Sequence, residues 1–222
     1  MIYNYTCALG YFCQSNELLS NAKLKRESYP FDHMNSSPAM IIHCLSDNFE
    51  KFLDKQYYTY LNHTENQSHT FYNPKGSYVF NHHNLLKDHD YAYFTRCVER
   101  FLNLLKKENP KLFVIFYNSN NINRDFNYSE NVEDDIKNLD IELQKYTSNY
   151  TILCIINNHG HSDNHHFETI GNIDFLYFTT VSHHKGDVFY DGNTNVLLDS
   201  IFQERYKFDI LEPDSKKDLN IF

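Results

Sequence analysis

Apolar residues fall along this chain in two rhythms, short continuous runs and stripes stepped by three or four, and these set out its elements. Residues 2–9 form an apolar run that stops at Gly10, as a strand would, and residues 13–22 follow as a helix burying Leu18 and Leu19. Residues 23–32 connect onward, with Pro30 pushing Tyr29 towards an extended backbone. Ser36 or Ser37 then caps a helix running through Cys44, with Pro38 in its first turn. Asp47 caps a further helix whose stripe is Phe49, Phe52 and Leu53. Residues 57–75 are polar and aromatic without a period and read mostly as loop. Residues 76–81 make a short strand leading into His82 and His83.

The later part of the chain is clearer. Residues 91–107 carry Phe94, Val98, Phe101, Leu102 and Leu105 at helical steps, and Pro110 ends that helix. The apolar runs 112–117, 151–156 and 174–180 read as buried strands. Between the first two lies an Asn-rich loop, 118–128, and a helix that Ser129 opens. Its acidic first turns suit the helix dipole, and its stripe is Ile136, Leu139 and Leu143. Residues 195–205 supply a last helix and 206–211 an edge strand. Apolar strands alternating with helices imply parallel pairing in a sheet covered on both faces. The expectation is a single α/β domain over residues 1–222, three-layered, with a mainly parallel central sheet and flanking helices.

Composition narrows the function. Hydrophobic residues at 41% and charged residues at 22% are globular values, and 222 residues suffice for a sizeable core. A formal net charge of -9, with scattered basic residues, argues against a nucleic-acid partner. No apolar stretch approaches the length of a membrane span, and no cationic leader opens the chain, so a cytoplasmic protein without a membrane partner is expected. The five cysteines, Cys7, Cys13, Cys44, Cys97 and Cys154, show no zinc-type spacing and read as free thiols in a reducing compartment. Glycine-rich phosphate loops are absent from the sequence, and no cofactor is expected. Tyr57, Tyr58 and Tyr60 read as packing in a chain with 18 tyrosines.

Candidate chemistry gathers near the start. Cys13 follows a strand and a glycine and opens a helix, where backbone N–H groups and the dipole favour a thiolate. His82 closes a short strand and suits a general base; Asp32 would hold its imidazole in the productive tautomer. Peptide N–H groups over residues 12–14 would bind an oxyanion, which makes Gln14 a substrate-binding candidate. Arg96 and Arg100, four apart, would anchor an anionic substrate group or pair with Asp32 if they turn inward. Arg100 is the better structural partner. His159, His161, Asp163, His165 and His166, with His183 and His184 further on, carry metal-ligand chemistry on loops but also fit solvated turns. A small-molecule or peptide substrate is expected, which the residues themselves do not name; the oligomeric state is open.

Two blocks carry a family resemblance: Leu9-Gly10-Tyr11-Phe12-Cys13-Gln14 and Lys25-Arg26-Glu27-Ser28-Tyr29-Pro30-Phe31-Asp32. With Phe80-Asn81-His82-His83 and the helix bearing Tyr93, Arg96, Arg100 and Phe101, they resemble the family described as putative papain-like cysteine peptidases (DUF1796). The likeness is clearest over the first half of the chain. It implies a cysteine-dependent hydrolase or acyl transferase acting on a peptide or amide, with Cys13 as nucleophile, His82 as base and Asp32 as orienting acid. Two positions depart from the family: His33 stands in place of its tryptophan, and His83 in place of the aspartate after the histidine. A papain-like enzyme would pair a helical part with an antiparallel barrel, whereas the periodicity here gives strand–helix–strand units. The alternative is a non-peptidase α/β protein that binds or modifies a glycan or small anionic ligand, with Cys13 structural.

Overall fold

The structure is a computed structural model that describes residues 1–10, 12–60, 67–73, 79–80, 82–119 and 131–213. Its elements in chain order are β1 (Ile2–Tyr3), β2 (Tyr5–Ala8), α1 (Gln14–Asn21), α2 (Pro38–Ser46), β3 (Tyr58–Tyr60), β4 (Gln67–His69) and α3 (Asp88–Leu105). There follow β5 (Lys111–Asn118), α4 (Val132–Leu143), β6 (Tyr150–His159), β7 (Asn164–Ile170), β8 (Ile173–Thr180), α5 (Gly192–Arg205) and β9 (Lys207–Phe208).

The central sheet runs in the order β2-β5-β6-β8-β7. The pairs β2/β5, β5/β6 and β6/β8 are parallel, and β7 joins antiparallel to β8. The α/β class therefore stands, but the sheet is mixed rather than mainly parallel. The strand that makes it so, β7, is exposed at nearly every position and has no apolar alternation, so it left no mark in the hydrophobic pattern.

Alternation along β5 divides the interior in two. Phe113 and Ile115 join a core with residues of α2, α3 and α4, while Leu112, Val114 and Phe116 join a second core with residues of α1 and α5. Between β2 and β5 runs a long excursion containing α1, α2, the β3–β4 hairpin and α3. Cys13, His82 and His83 lie on that excursion.

Several local expectations are corrected. Residues 47–53 form turns rather than a helix. Asp47 closes α2 as its C-cap, Asn48 takes a left-handed φ of 52°, and Phe49 N–H reaches Cys44 O at 2.7 Å. That is a Schellman closure, and it seats the spaced Phe49 and Phe52 in an aromatic cluster with Phe31 and Phe101. Residues 57–75 include the β3–β4 hairpin, and Tyr58 pairs with His69. The strand expected over 76–81 is described only at Val79 and Phe80. Ser129 lies outside the described residues, and Asn131 is the N-cap of α4. The terminal edge strand is the two-residue β9, parallel to β1. Among the described residues, no helix is long and apolar enough to cross a membrane.

Candidate active site

The turn after β2 is built around Gly10. Its φ is +78°, and a Cβ there would meet Ser36 Oγ at 2.0 Å and Phe31 O at 2.8 Å, so no side chain fits. Ser36 Oγ donates to Leu9 O at 2.9 Å and Ser15 Oγ to Gly10 O at 3.1 Å, which fixes the turn on both sides. Cys13 then stands at the N-cap of α1, where its carbonyl accepts the N–H groups of Asn16 and Glu17, each at 2.9 Å. A sulfur at a helix N-terminus faces the positive end of the dipole. All five cysteines are thiols, and Cys13 alone is not buried. Burial pushes Cys97 up to about 12 and raises Cys7, Cys44 and Cys154 as well, leaving those four protonated and inert.

Three chain segments are laced together beside this turn. The 31–36 segment leans on Gly10 and pairs with the 79–80 segment through Met34 and Phe80 and through Asn35 N–H to Val79 O. Phe80 also bridges to Gln67 of β4. Gln67 in turn clamps the next residues, donating to Asn84 Oδ1 at 3.1 Å and accepting Leu85 N–H at 2.6 Å. His33, His82 and His83 are thereby carried to the thiol's side of the molecule. Cys13, Asn16, Lys25, His33, His82 and His83 all line one cleft of about 520 Å³.

The imidazoles are held differently. His83 Nδ1 lies 3.0 Å from Asp90 Oδ1, and Asp90 Oδ2 accepts Asn84 N–H at 2.9 Å. A carboxylate can only accept, so Nδ1 carries a proton, and in the neutral ring the lone pair falls on Nε2. The ring is stacked on Tyr93 at 5.0 Å. Burial works to raise the Asp90 carboxyl, but the Asn84 N–H and the His83 imidazole outweigh it and hold it below the usual carboxylate value. His82 is exposed, with its ring edge-on to His33 at 6.2 Å. His33 Nε2 lies 3.0 Å from Asn16 Nδ2, while Asn16 Oδ1 accepts from Lys25 Nζ. Lysine can only donate, so the Asn16 amide nitrogen donates to His33. Burial, with Lys25 nearby, lowers His33 from 6.5 to about 4 and keeps it neutral.

The remaining predicted site residues sit as follows. Asp32 is buried beneath the cleft rather than lining it. Its Oδ2 is 2.8 Å from Lys25 Nζ and accepts Tyr29 N–H at 2.9 Å. Burial raises its carboxyl against the opposing pull of Lys25, Tyr29 N–H and Arg100. Asp32 thus anchors Lys25, and through Asn16 the chain of contacts runs on to His33. Gln14 is buried, and its Oε1 lies 3.0 Å from His184 Nε2. Gly186 N–H donates to His184 Nδ1 at 3.1 Å, so His184 carries its proton on Nε2 and gives it to Gln14. Arg96 is exposed on α3 and is not among the described residues that line the cleft. Arg100 Nη1 reaches Ser28 O at 3.4 Å, close enough for its charge to act on Asp32.

The sequence reading missed Asp90, which lies seven residues beyond His83 in the first turn of α3. An acidic residue there is ordinary helix chemistry, and only the 82–88 turn brings it back to His83. The histidine-rich region is spread out. His159 stacks on His183 at 4.0 Å, His166 stacks on Tyr177 at 4.7 Å, and Asp163 Oδ1 accepts Val181 N–H at 2.7 Å. Among the described residues, no three such side chains are grouped to hold a metal ion.

A thiol at a helix N-cap and a carboxylate-held imidazole in one cleft is an arrangement suited to nucleophilic catalysis. No curated protein and no solved structure matches the chain. One family model does, over residues 5–160, from β2 to the end of β6, and the chain belongs to that family, described as "Putative papain-like cysteine peptidase (DUF1796)".

Proposed function

We propose that the protein is a cysteine-dependent hydrolase or acyl transferase, with Cys13 as nucleophile and His83, held by Asp90, as general base and acid. One observation carries this reading: the only unburied thiol of the chain shares a cleft with an imidazole whose Nδ1 is committed to a carboxylate. In the proposed reaction His83 Nε2 takes the Cys13 proton as Sγ bonds to the carbonyl carbon of a peptide or amide. The N–H groups over residues 12–14 receive the oxyanion. Collapse breaks the C–N bond, and the His83 proton leaves with the amine. Water, or a second amine, then releases the acyl group from sulfur.

The resemblance gives the basic role to His82, which lines the same cleft. We favour His83 because a base needs a fixed tautomer, and Asp90 supplies one. His82, exposed at the cleft, then contacts substrate. Asp32 and Gln14 act through others, Asp32 by holding Lys25 and Gln14 by holding His184. A peptide substrate follows from the family description, and the helix-covered sheet suits a thiol presented beyond a strand end.

The test is incubation with a diverse peptide pool, followed by mass spectrometry for cleaved or transferred products. Cleavage that Cys13→Ala and His83→Ala abolish is the expected result. A pool left intact, with no acyl group trapped on Cys13 by an activated ester, overturns the reading.

A further inference from the structure

We propose that the outer edge of β7 is a self-association surface, on which a second copy of this chain adds its own β7 antiparallel across a two-fold axis. The proposal does not depend on the enzymatic reading. β7 ends the central sheet, and among the described residues no strand pairs with its far side. It is seven residues long and exposed at all positions but one. An edge of that length, without proline or bulge, is a template for another strand.

The backbone register says which groups are on offer. Ile152 N–H donates to Asn172 O, so the even-numbered residues at this end of β8 face β6 and the odd-numbered ones face β7. Ile173, Phe175, Tyr177 and Thr179 therefore exchange hydrogen bonds with Ile170, Glu168, His166 and Asn164. Thr169, Phe167 and His165 are left with their N–H and C=O groups directed outward.

Those three residues fit one symmetric register. A two-fold axis at Phe167 pairs Phe167 with its own copy and His165 with Thr169, so every outward group finds a partner and all seven residues are used. Centring on His165 or Thr169 would pair only three residues. The same register sets His166 directly opposite Glu168 of the second copy, twice, in the close non-hydrogen-bonded positions where side chains meet. His166 lies flat on Tyr177, and Arg205 stands 4.8 Å over the Phe167 ring on the opposite face.

The test is sedimentation equilibrium of the full chain over a range of concentrations, with melting curves confirming that each variant folds. The expected result is a reversible dimer. His165→Pro removes an outward N–H without touching the β8 ladder and should leave a monomer. Glu168→Lys should weaken the dimer about tenfold, since it spoils two cross-strand pairs at once. Adding His166→Glu to Glu168→Lys places a carboxylate opposite each new ammonium and should restore the dimer. A chain that stays monomeric at all concentrations overturns the proposal. So does a dimer that His165→Pro leaves intact, or one that Glu168→Lys weakens and the added His166→Glu does not rescue.

Discussion

His83 Nδ1 and Asp90 Oδ1 are 3.0 Å apart, and the pair joins the loop beside the cleft to the first turn of α3. Asp90→Asn keeps the shape but lets the amide offer an N–H, which allows the wrong imidazole tautomer. Acylation of Cys13 by p-nitrophenyl acetate should slow by about 10²-fold. Melting temperature should change far less than the rate. His82→Asn should slow acylation by less than tenfold, because among the described residues no carboxylate is seen to hold that ring in place. Equal losses from the two variants would contradict the assignment.

Gly10 is the second point of leverage. Gly10→Ala introduces a Cβ at φ +78° into the space of Ser36 Oγ and Phe31 O. It should destabilise the fold by at least about 2 kcal/mol in denaturant titration. Adding Ser36→Ala removes the nearest atom but not the backbone oxygen or the dihedral strain, so rescue should be partial. Full rescue would mean that the backbone at Gly10 is not held where it appears.

Much of this was legible in the sequence where burial is uniform. The strands β5, β6 and β8 and the helix α3 carry apolar runs or stripes that only a core explains. Cys13 at a helix start follows from the apolar run that stops at Gly10, and the cap at Ser36 or Ser37, with Pro38 after it, follows from capping chemistry, with Ser37 the one that caps. Legibility failed where a tertiary contact substitutes for a period. The spaced phenylalanines at 49 and 52 suggested a helix, but a Schellman turn buries them equally well. β7 is polar because both its faces meet solvent. The His83–Asp90 couple leaves no local trace, since an aspartate early in a helix needs no other reason. Asp32 reads from the sequence as a catalytic acid, yet it lies beside the cationic Lys25, which satisfies it first.

Gln14 provides a check on structural against substrate-binding roles. Gln14→Ala leaves the buried His184 Nε2–H without its acceptor and should cost about 1–3 kcal/mol of stability. Gln14→Glu keeps an acceptor and should cost less. A variant with full stability but lost acylation would instead place Gln14 in direct contact with substrate.

Stability should also depend on pH through buried imidazoles. Burial lowers His33, His69 and His184 from 6.5 to about 4. The unfolded chain takes up these protons near pH 6.5, while the folded chain resists until about pH 4. Their contribution is therefore complete above 6.5 and is lost as pH falls from 6.5 towards 4. Each well-buried imidazole accounts for up to about 3 kcal/mol across that window. Asp32, raised by burial, acts in the opposite sense and softens the fall. Melting temperature should drop steadily over this interval, and a flat profile would contradict the neutral, buried state of these rings.

The most direct measurement is the alkylation of Cys13 by iodoacetamide as a function of pH, with each thiol followed by mass spectrometry. In the native protein, Cys13 should react while Cys7, Cys44, Cys97 and Cys154 do not. Its half-maximal rate should fall well below the ordinary thiol value of about 8.5, and His83→Ala should move it back up. A Cys13 that titrates like an ordinary thiol, with a profile unchanged by His83→Ala, would contradict the thiol–imidazole couple at the centre of this account.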